Sequence, residues 1–385
     1  MALTSVQTNN KLVKFVEEFT VEWGRENLFS PYQGTSMTSV IRVINQLKSG
    51  GEEINIPLLA KLQGAGVGSG TLSGNEESLD DYGMRQKIDW ARNAIVTNKA
   101  EIQKQSADML AQMRPLLNLW ADELRRDETI AAFMALPSES PQVGLGSAAG
   151  DRVGGIRYEA ATAGQRNTWH ADNQDRILYG NSITNYVVGN HATSLANVDV
   201  VNDLYTAGSL KLLKYLAKRA NPKIKPYKVE SGKEYFVAFS GSIVFRDLQT
   251  SLDTIDKDGR AREGRGMDNN PLFQDGDELY RGVIAVEVPE IDEFTEQVWT
   301  SLLTAGAGGT TRVNPVFFCG QSALSFAIGQ MPRVTQKDDT DWEFLKGVGI
   351  EMAYSLQKMF KKQPKSGTAL KQWGLTTGFF ANSVV

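Results

Sequence analysis

The chain has 385 residues and a formal net charge of −4, with 22% charged and 41% hydrophobic residues. This balance fits a folded chain with a sizeable core and room for more than one domain, and it does not favour global binding to a polyanion. A single cysteine excludes an intramolecular disulfide framework and a Cys-based zinc site. No apolar run reaches the roughly 18 residues that span a bilayer, and the first residues lack the basic-then-apolar pattern of a signal peptide. The 36 glycines cluster without a fixed period, which excludes a collagen or solenoid reading.

Residues 1–50 carry one amphipathic segment, with Leu12, Phe15, Val16 and Phe19 at helical spacing. A break follows at Phe29-Ser30-Pro31-Tyr32-Gln33-Gly34, then a short segment from Val40 to Leu47 that ends at Ser49-Gly50-Gly51. These pieces are too small to form a core of their own. From Ile54 to Val96 the pattern is that of an extended hairpin: an apolar-rich arm to Leu62, a glycine series at Gly64, Gly66, Gly68, Gly70 and Gly74, then Asn75, Glu76 and Glu77, and a second arm from Met84 to Val96. Pro57 suits an edge rather than a sheet centre. A two-stranded hairpin is marginal alone in water, so it needs a surface to lie on, and that surface can belong to another chain.

The run Leu62, Gly64, Ala65, Gly66, Val67, Gly68, Gly70, Thr71, Leu72, Gly74, Asn75, Glu76, Glu77, Leu79 resembles, without gaps, the extended loop of a family of tailed-bacteriophage major capsid proteins. The resemblance is to the subgroup of the N-four-like phages. It implies an α+β subunit of the Hong Kong 97-type fold, with an N-terminal arm (1–50), the extended hairpin loop (51–96), a long spine helix of a peripheral domain (97–136), an irregular insertion (137–200), an axial domain (201–335) and return strands of the peripheral domain (336–385). Phe29 to Gly34 resembles the family's short aromatic-Gly segment before the loop. The implied contacts between subunits are Lys61, Gly64, Gly66, Glu76 and Glu77 on the loop, with Phe29 and Tyr32 on the arm. Some shells of this fold are linked covalently through a loop lysine and an asparagine; Lys61 is the loop lysine here, but no motif marks a partner.

Asn98 to Leu136 gives the longest helical signal. Ile102, Ser106, Met109, Met113, Leu117, Trp120 and Leu124 make one face, and Pro115 predicts a kink or break. Residues 137–200 are rich in Gly, Ala, Ser and Asn and read as an irregular surface excursion. Both histidines, His170 and His191, lie in it without a partner at ligand spacing. Residues 201–220 are helical, with Leu204, Gly208, Leu212, Tyr215 and Leu216 as the stripe, ended by Asn221-Pro222. Tyr235 to Phe239 reads as a buried strand, Val244 to Leu248 as a short turn or helix, and Thr254 to Asn270 as a charged loop. Val283 to Val288 and Pro315 to Cys319 read as strands, the latter holding a buried thiol. Val348, Ile350, Met352, Tyr354 and Leu356 alternate strictly as a half-buried strand, and Gln372 to Thr377 reads as a last one. Arg246-Asp247-Leu248 and Asn314 to Arg333 also resemble segments of the family.

No catalytic set emerges. Gly64-Ala65-Gly66-Val67-Gly68 and Gly144-Leu145-Gly146 lack the Gly-Lys-Ser/Thr of a phosphate loop, and Asp256-Lys257-Asp258-Gly259 puts Arg265 where a calcium loop needs Glu. Neither a nucleophile elbow nor a His-Glu-x-x-His pair is present. The expectation is a structural protein without enzymatic activity or cofactor. Lys211, Lys214, Lys218, Arg219, Lys223, Lys225 and Lys228 form a run with no acid between them. It reads as a solvated helix face, or as a patch facing packaged DNA or an acidic neighbour surface, with Glu76 and Glu77 as the candidate counterpart. The resemblance implies hexamers and pentamers of an icosahedral shell around double-stranded DNA, assembled in the bacterial host cytoplasm. It implies scaffold and portal partners, a decoration protein as an optional one, and no membrane. A tail-tube or surface-layer subunit and a glycine-loop enzyme are the alternatives.

Overall fold

A computed structural model describes residues 27–59, 61–62, 64, 66–77, 81–104, 109–139, 152–230, 233–260, 277–336, 344–363 and 367–383. The amphipathic segment with Leu12 to Phe19 and the glycine run 144–150 lie outside them. The described chain opens with β1 (Gln33–Gly34) and β2 (Ile41–Ile44), which run parallel. Next comes the antiparallel hairpin of β3 (Glu53–Leu59) and β4 (Asp81–Lys87), with Glu53 opposite Lys87 and Leu59 opposite Asp81. The second arm is shorter than expected. It stops at Ile88, and β5 (Asp89–Asn98) leaves the hairpin to pair along ten residues of another strand.

The helical signal after Asn98 appears as α1 (Lys99–Lys104) and α2 (Met109–Met134). The helix runs on through Pro115. Pro115 sits on the solvent side in the second turn, where the lost main-chain bond faces water. Met113, Leu117 and Ala121 bury one stripe, and from Glu128 onward every face is buried. At about 1.5 Å per residue the helix is roughly 39 Å long.

The largest correction concerns residues 137–200. From residue 152 this stretch is built into the fold as β6 (Val153–Gly154), α3 (Ala163–Asp172), β7 (Ile177–Tyr179) and α4 (His191–Ala196). Tyr158, Trp169, Tyr179 and Leu195 enter the main core. Its many Thr, Asn and Ser residues cap these short helices: Thr162 with Gln165 forms a capping box on α3, and Asn190 caps α4. They look loop-like because capping and turn residues are the same residues.

There follow α5 (Ala207–Arg219), β8 (Lys228–Glu230), β9 (Lys233–Ser240), α6 (Ser242–Arg260), β10 (Asp277–Tyr280), β11 (Val283–Glu287), α7 (Glu290–Gln297), α8 (Thr300–Leu303), β12 (Val313–Cys319), β13 (Leu324–Gln336), β14 (Leu345–Lys358), β15 (Phe360–Lys362), β16 (Leu370–Gln372) and β17 (Leu375–Ala381). Two helices differ from expectation. The buried stripe of α5 is Leu210, Leu213, Leu216 and Ala217, one step round from the expected one, and Tyr215 is exposed. Val244 to Leu248 opens a nineteen-residue helix that absorbs the start of the expected loop at Thr254; residues 261–270 are not described. Asp292 fixes the start of α6. Its Oδ2 accepts from Ile243 N at 2.8 Å and its Oδ1 from the Asn314 amide at 2.5 Å.

Two sheets organise these elements. The first has the order β1-β2-β13-β14-β5, with β6 also on β14; the second has the order β10-β11-β9-β12-β17-β7, with β8 on β9. The last strand, β17, therefore lies inside the second sheet, antiparallel to β12, and not beside α2. Equally, β13 belongs to the first sheet, so a boundary near residue 336 does not separate the two. The end of α2 fills the space where the sheets meet. Phe133 stacks on Phe317 of β12 at 5.2 Å and lies 5.7 Å from Phe239 of β9.

Candidate assembly surfaces

Strict alternation along β3 turns Ile54, Ile56 and Leu58 to one side. With Met84, Ile44, Met359 and Phe360 they form a separate apolar cluster, to which Tyr82, Leu370 and Trp373 are packed. The base of the hairpin is thus bound to its own subunit. Gln86, 1% exposed, adds a polar anchor: its amide nitrogen donates to Ser325 O and Ser355 O at 3.3 and 3.0 Å, and its oxygen accepts from Ser325 Oγ at 2.5 Å. Nothing in the sequence marked this glutamine, because its partners lie more than two hundred residues away.

Beyond Leu59 the hairpin leaves the body. Lys61, Gly64 and Gly66 are exposed, and so are Glu76 and Glu77. Leu59, Leu62 and Leu72 are 58%, 55% and 64% exposed, a run of large apolar groups without cover among the described residues. The two exposed glutamates also shape the tip. Glu77 Oε2 accepts from Gly64 N at 2.8 Å across the loop, and Glu76 Oε2 accepts from Gly74 N at 2.7 Å. Gly74 has φ +88°, which favours glycine there.

Phe29 and Tyr32 are placed differently from the loop residues. Phe29 is fully buried among Phe133 and Phe239, at 5.7 and 5.0 Å. It is a core residue of its own subunit and not a contact to a neighbour. Tyr32 is half-buried and meets Phe239 and Tyr227 edge-on. Phe29→Ala is expected to destabilise the isolated subunit by about 3–5 kcal/mol, read as a lower denaturation midpoint; an unchanged midpoint would return Phe29 to the contact surface.

The basic run also divides. Lys214 Nζ donates to Arg281 O at 2.5 Å and Glu234 O at 3.2 Å, and partial burial lowers its pKa. Lys218 pairs with Glu234, so an acid the sequence run did not contain reaches the patch from β9. Lys211 lies over the Tyr280 ring and Arg219 over Tyr215, each at 5.8 Å. Lys223, Lys225 and Lys228 remain exposed on the segment after α5. The patch is therefore smaller than seven charges.

Elsewhere, β5 ends the first sheet. Trp90 and Val96 stand half exposed on this strand. A terminal strand with exposed apolar groups is a template for pairing with another chain.

The chain matches the family model described as phage capsid protein over residues 3–377. It is 26% identical over 335 residues to the major capsid protein of Pseudomonas phage KPP25, an alignment covering 83% of this chain and 81% of that protein. The capsid asymmetric unit of cyanophage Pam1 superposes with a TM-score of 0.85 at 31% identity, covering 100% of both chains. The capsid of Ralstonia phage GP4 shares the fold, with a TM-score of 0.67 at 17% identity over 99% of this chain and 98% of that one.

Proposed function

From the finding that this chain belongs to the phage capsid protein family, and is a shell-forming major capsid protein of the Hong Kong 97-type fold, we propose that its shell is closed by the hairpin tip of one subunit lying on the next. The observation that carries this reading is the contrast within the hairpin. Its base is buried on its own subunit, whereas its tip presents Leu59, Leu62 and Leu72 to solvent. Such groups gain about 25 cal/mol for each Å² they bury, so a neighbour's surface is their natural cover. The open face of β5 with Trp90 and Val96 supplies a surface of the required character. Contacts of this head-to-tail kind close into rings, here hexamers and pentamers, and the rings into an icosahedral shell.

Double-stranded DNA inside would meet the exposed lysines at Lys223, Lys225 and Lys228 by diffuse, salt-dependent contacts. Scaffold, portal and decoration proteins are proposed partners on the same reading, with synthesis and assembly in the host cytoplasm. The relatives found are capsid proteins, which does not favour the tail-tube, surface-layer or glycine-loop enzyme alternatives. The test is Leu62→Ser combined with Leu72→Ser. Both residues are exposed in the subunit, so its melting temperature should move by no more than about 2 °C, while negative-stain microscopy shows loss of closed particles. Closed shells at the wild-type yield would overturn the assignment of the tip.

A further inference from the structure

Both histidines of the chain are buried, and both belong to one hydrogen-bonded line. His170 Nε2 lies 2.8 Å from Val187 O, an atom that only accepts, so this nitrogen carries the hydrogen and Nδ1 must accept. Nδ1 is 2.8 Å from the Tyr179 hydroxyl and takes its proton. The Tyr179 oxygen then accepts from His191 Nδ1 at 2.6 Å, which leaves His191 Nε2 to accept from Tyr158 OH at 2.7 Å. Every hydrogen points the same way, and the line is complete only with two neutral imidazoles.

We propose that the line Tyr158–His191–Tyr179–His170 is an acid-release latch that holds α3, α4 and β7 together while both imidazoles are uncharged. A proton on His170 Nδ1 would strand the Tyr179 hydroxyl hydrogen, and one on His191 Nε2 would strand that of Tyr158. The ring centroids are 5.8 Å apart, so two cations would also repel. Among the described residues the surroundings offer no compensation. Trp169 and Phe379 meet His191 edge-on, Tyr186 stacks on His170 at 4.0 Å, and Ser194 Oγ lies 3.4 Å from His170 Nε2. On α3 the Asn167 side-chain oxygen accepts from His191 N, and the Arg166 guanidinium stands 5.5 Å over the Tyr158 ring. The nearby carboxylates have other partners: Glu159 accepts from Trp299 Nε1 and pairs with Arg157, Asp172 accepts from Leu370 N, and Asp175 pairs with Arg176 and Lys371. Burial, with the charge of His170 and Arg166 added, holds His191 down at about 3, and burial lowers His170 as well. An unfolded chain would take up these protons from about pH 6.5, so the latch loses stability as pH falls below that value toward 3.

The experiment is an acid titration of the subunit carrying ¹⁵N-labelled histidine, followed by NMR and by limited proteolysis of residues 158–196. At pH 7 the expected tautomers are Nε2–H on His170 and Nδ1–H on His191. On acidification both should charge together with loss of protection in this segment. His170→Gln with His191→Gln, which cannot take the protons, should move the midpoint down by at least about one pH unit. Should that variant fail to fold, the wild-type spectra decide: imidazoles that titrate near 6.5 with protection unchanged overturn the proposal. An acid midpoint in the double variant equal to wild type also overturns it.

Discussion

Arg152→Ala should cost the folded subunit about 3–5 kcal/mol, although Arg152 is remote from the hairpin tip. Its side chain and that of Glu128 are 8% and 5% exposed. Arg152 Nε and Nη2 reach Glu128 Oε1 at 3.0 and 2.5 Å, Nη1 donates to Trp90 O at 3.0 Å, and Tyr354 OH donates to Glu128 Oε2 at 2.6 Å. One guanidinium therefore ties together α2, β5, β14 and the start of β6. Removing it leaves a buried carboxylate with only a hydroxyl for company, and the cost is that of the orphaned charge more than of the lost attraction. The triple variant Glu128→Leu, Arg152→Leu, Tyr354→Phe removes the ion pair and the hydroxyl together. It should recover most of the loss in a denaturant titration. A single variant as stable as wild type would show that water reaches Glu128.

Lys358→Met should act in the opposite direction and stabilise the subunit by about 3 kcal/mol at pH 7. Lys358 is 1% exposed at the end of β14, with its amine 5.6 Å from the Trp169 ring centroid. With the Gln372 amide turned so that its oxygen faces them, that oxygen accepts from the Trp169 indole at 2.6 Å and from the Lys358 amine at 3.3 Å. Burial strips water from the ammonium and brings its pKa down to about 7. The folded state thus holds a neutral amine where the unfolded chain, with a value near 10.4, still binds a proton. Stability should therefore rise with pH above 7, by up to about 1.4 kcal/mol per unit. Thermal melts between pH 7 and 8, where an unfolded cysteine (near 8.5) or tyrosine still holds most of its protons, should show this rise in wild type. The variant should lack it. Parallel pH profiles for the two proteins would mean that Lys358 stays charged and finds a partner.

The elements legible in the sequence are those whose packing repeats at a fixed period. Val348, Ile350 and Met352 alternate because the first part of β14 has one buried side, but from Met352 to Lys358 the strand is buried on both sides, so the expected half-buried strand holds only for its first part. Met113 and Leu117 lie on one stripe because α2 rests on that sheet. The glycine series between two apolar arms marked the hairpin and its exposed tip, since only a loop tolerates so many residues without side chains. The long ungapped match of that tip also made the family readable. The run from Pro315 to Cys319 marked an apolar strand with a buried thiol, and Cys319 is indeed enclosed in a strand whose every residue is buried.

What the tertiary structure alone decided is the use of residues whose partners are distant in sequence. Residues 152–200 looked irregular because β6, α3, β7 and α4 are each ten residues or shorter, too short for a period to emerge from capping residues. Their fold is held by contacts to β14, β17 and each other, such as the histidine line. Phe29 carries the same apolar signal whether it fills its own core or a neighbour's groove, and only the meeting of α2 with both sheets made it a core residue. Lys358 and Arg152 carry no sequence signal of burial, since nothing local reports that a second layer will close over them. The sequence alone determined the periodic elements, the hairpin and the kinship to phage capsid proteins. Which side chains face inward along the aperiodic stretches was decided by long-range packing, because burial is a property of surfaces that meet and not of neighbours along the chain.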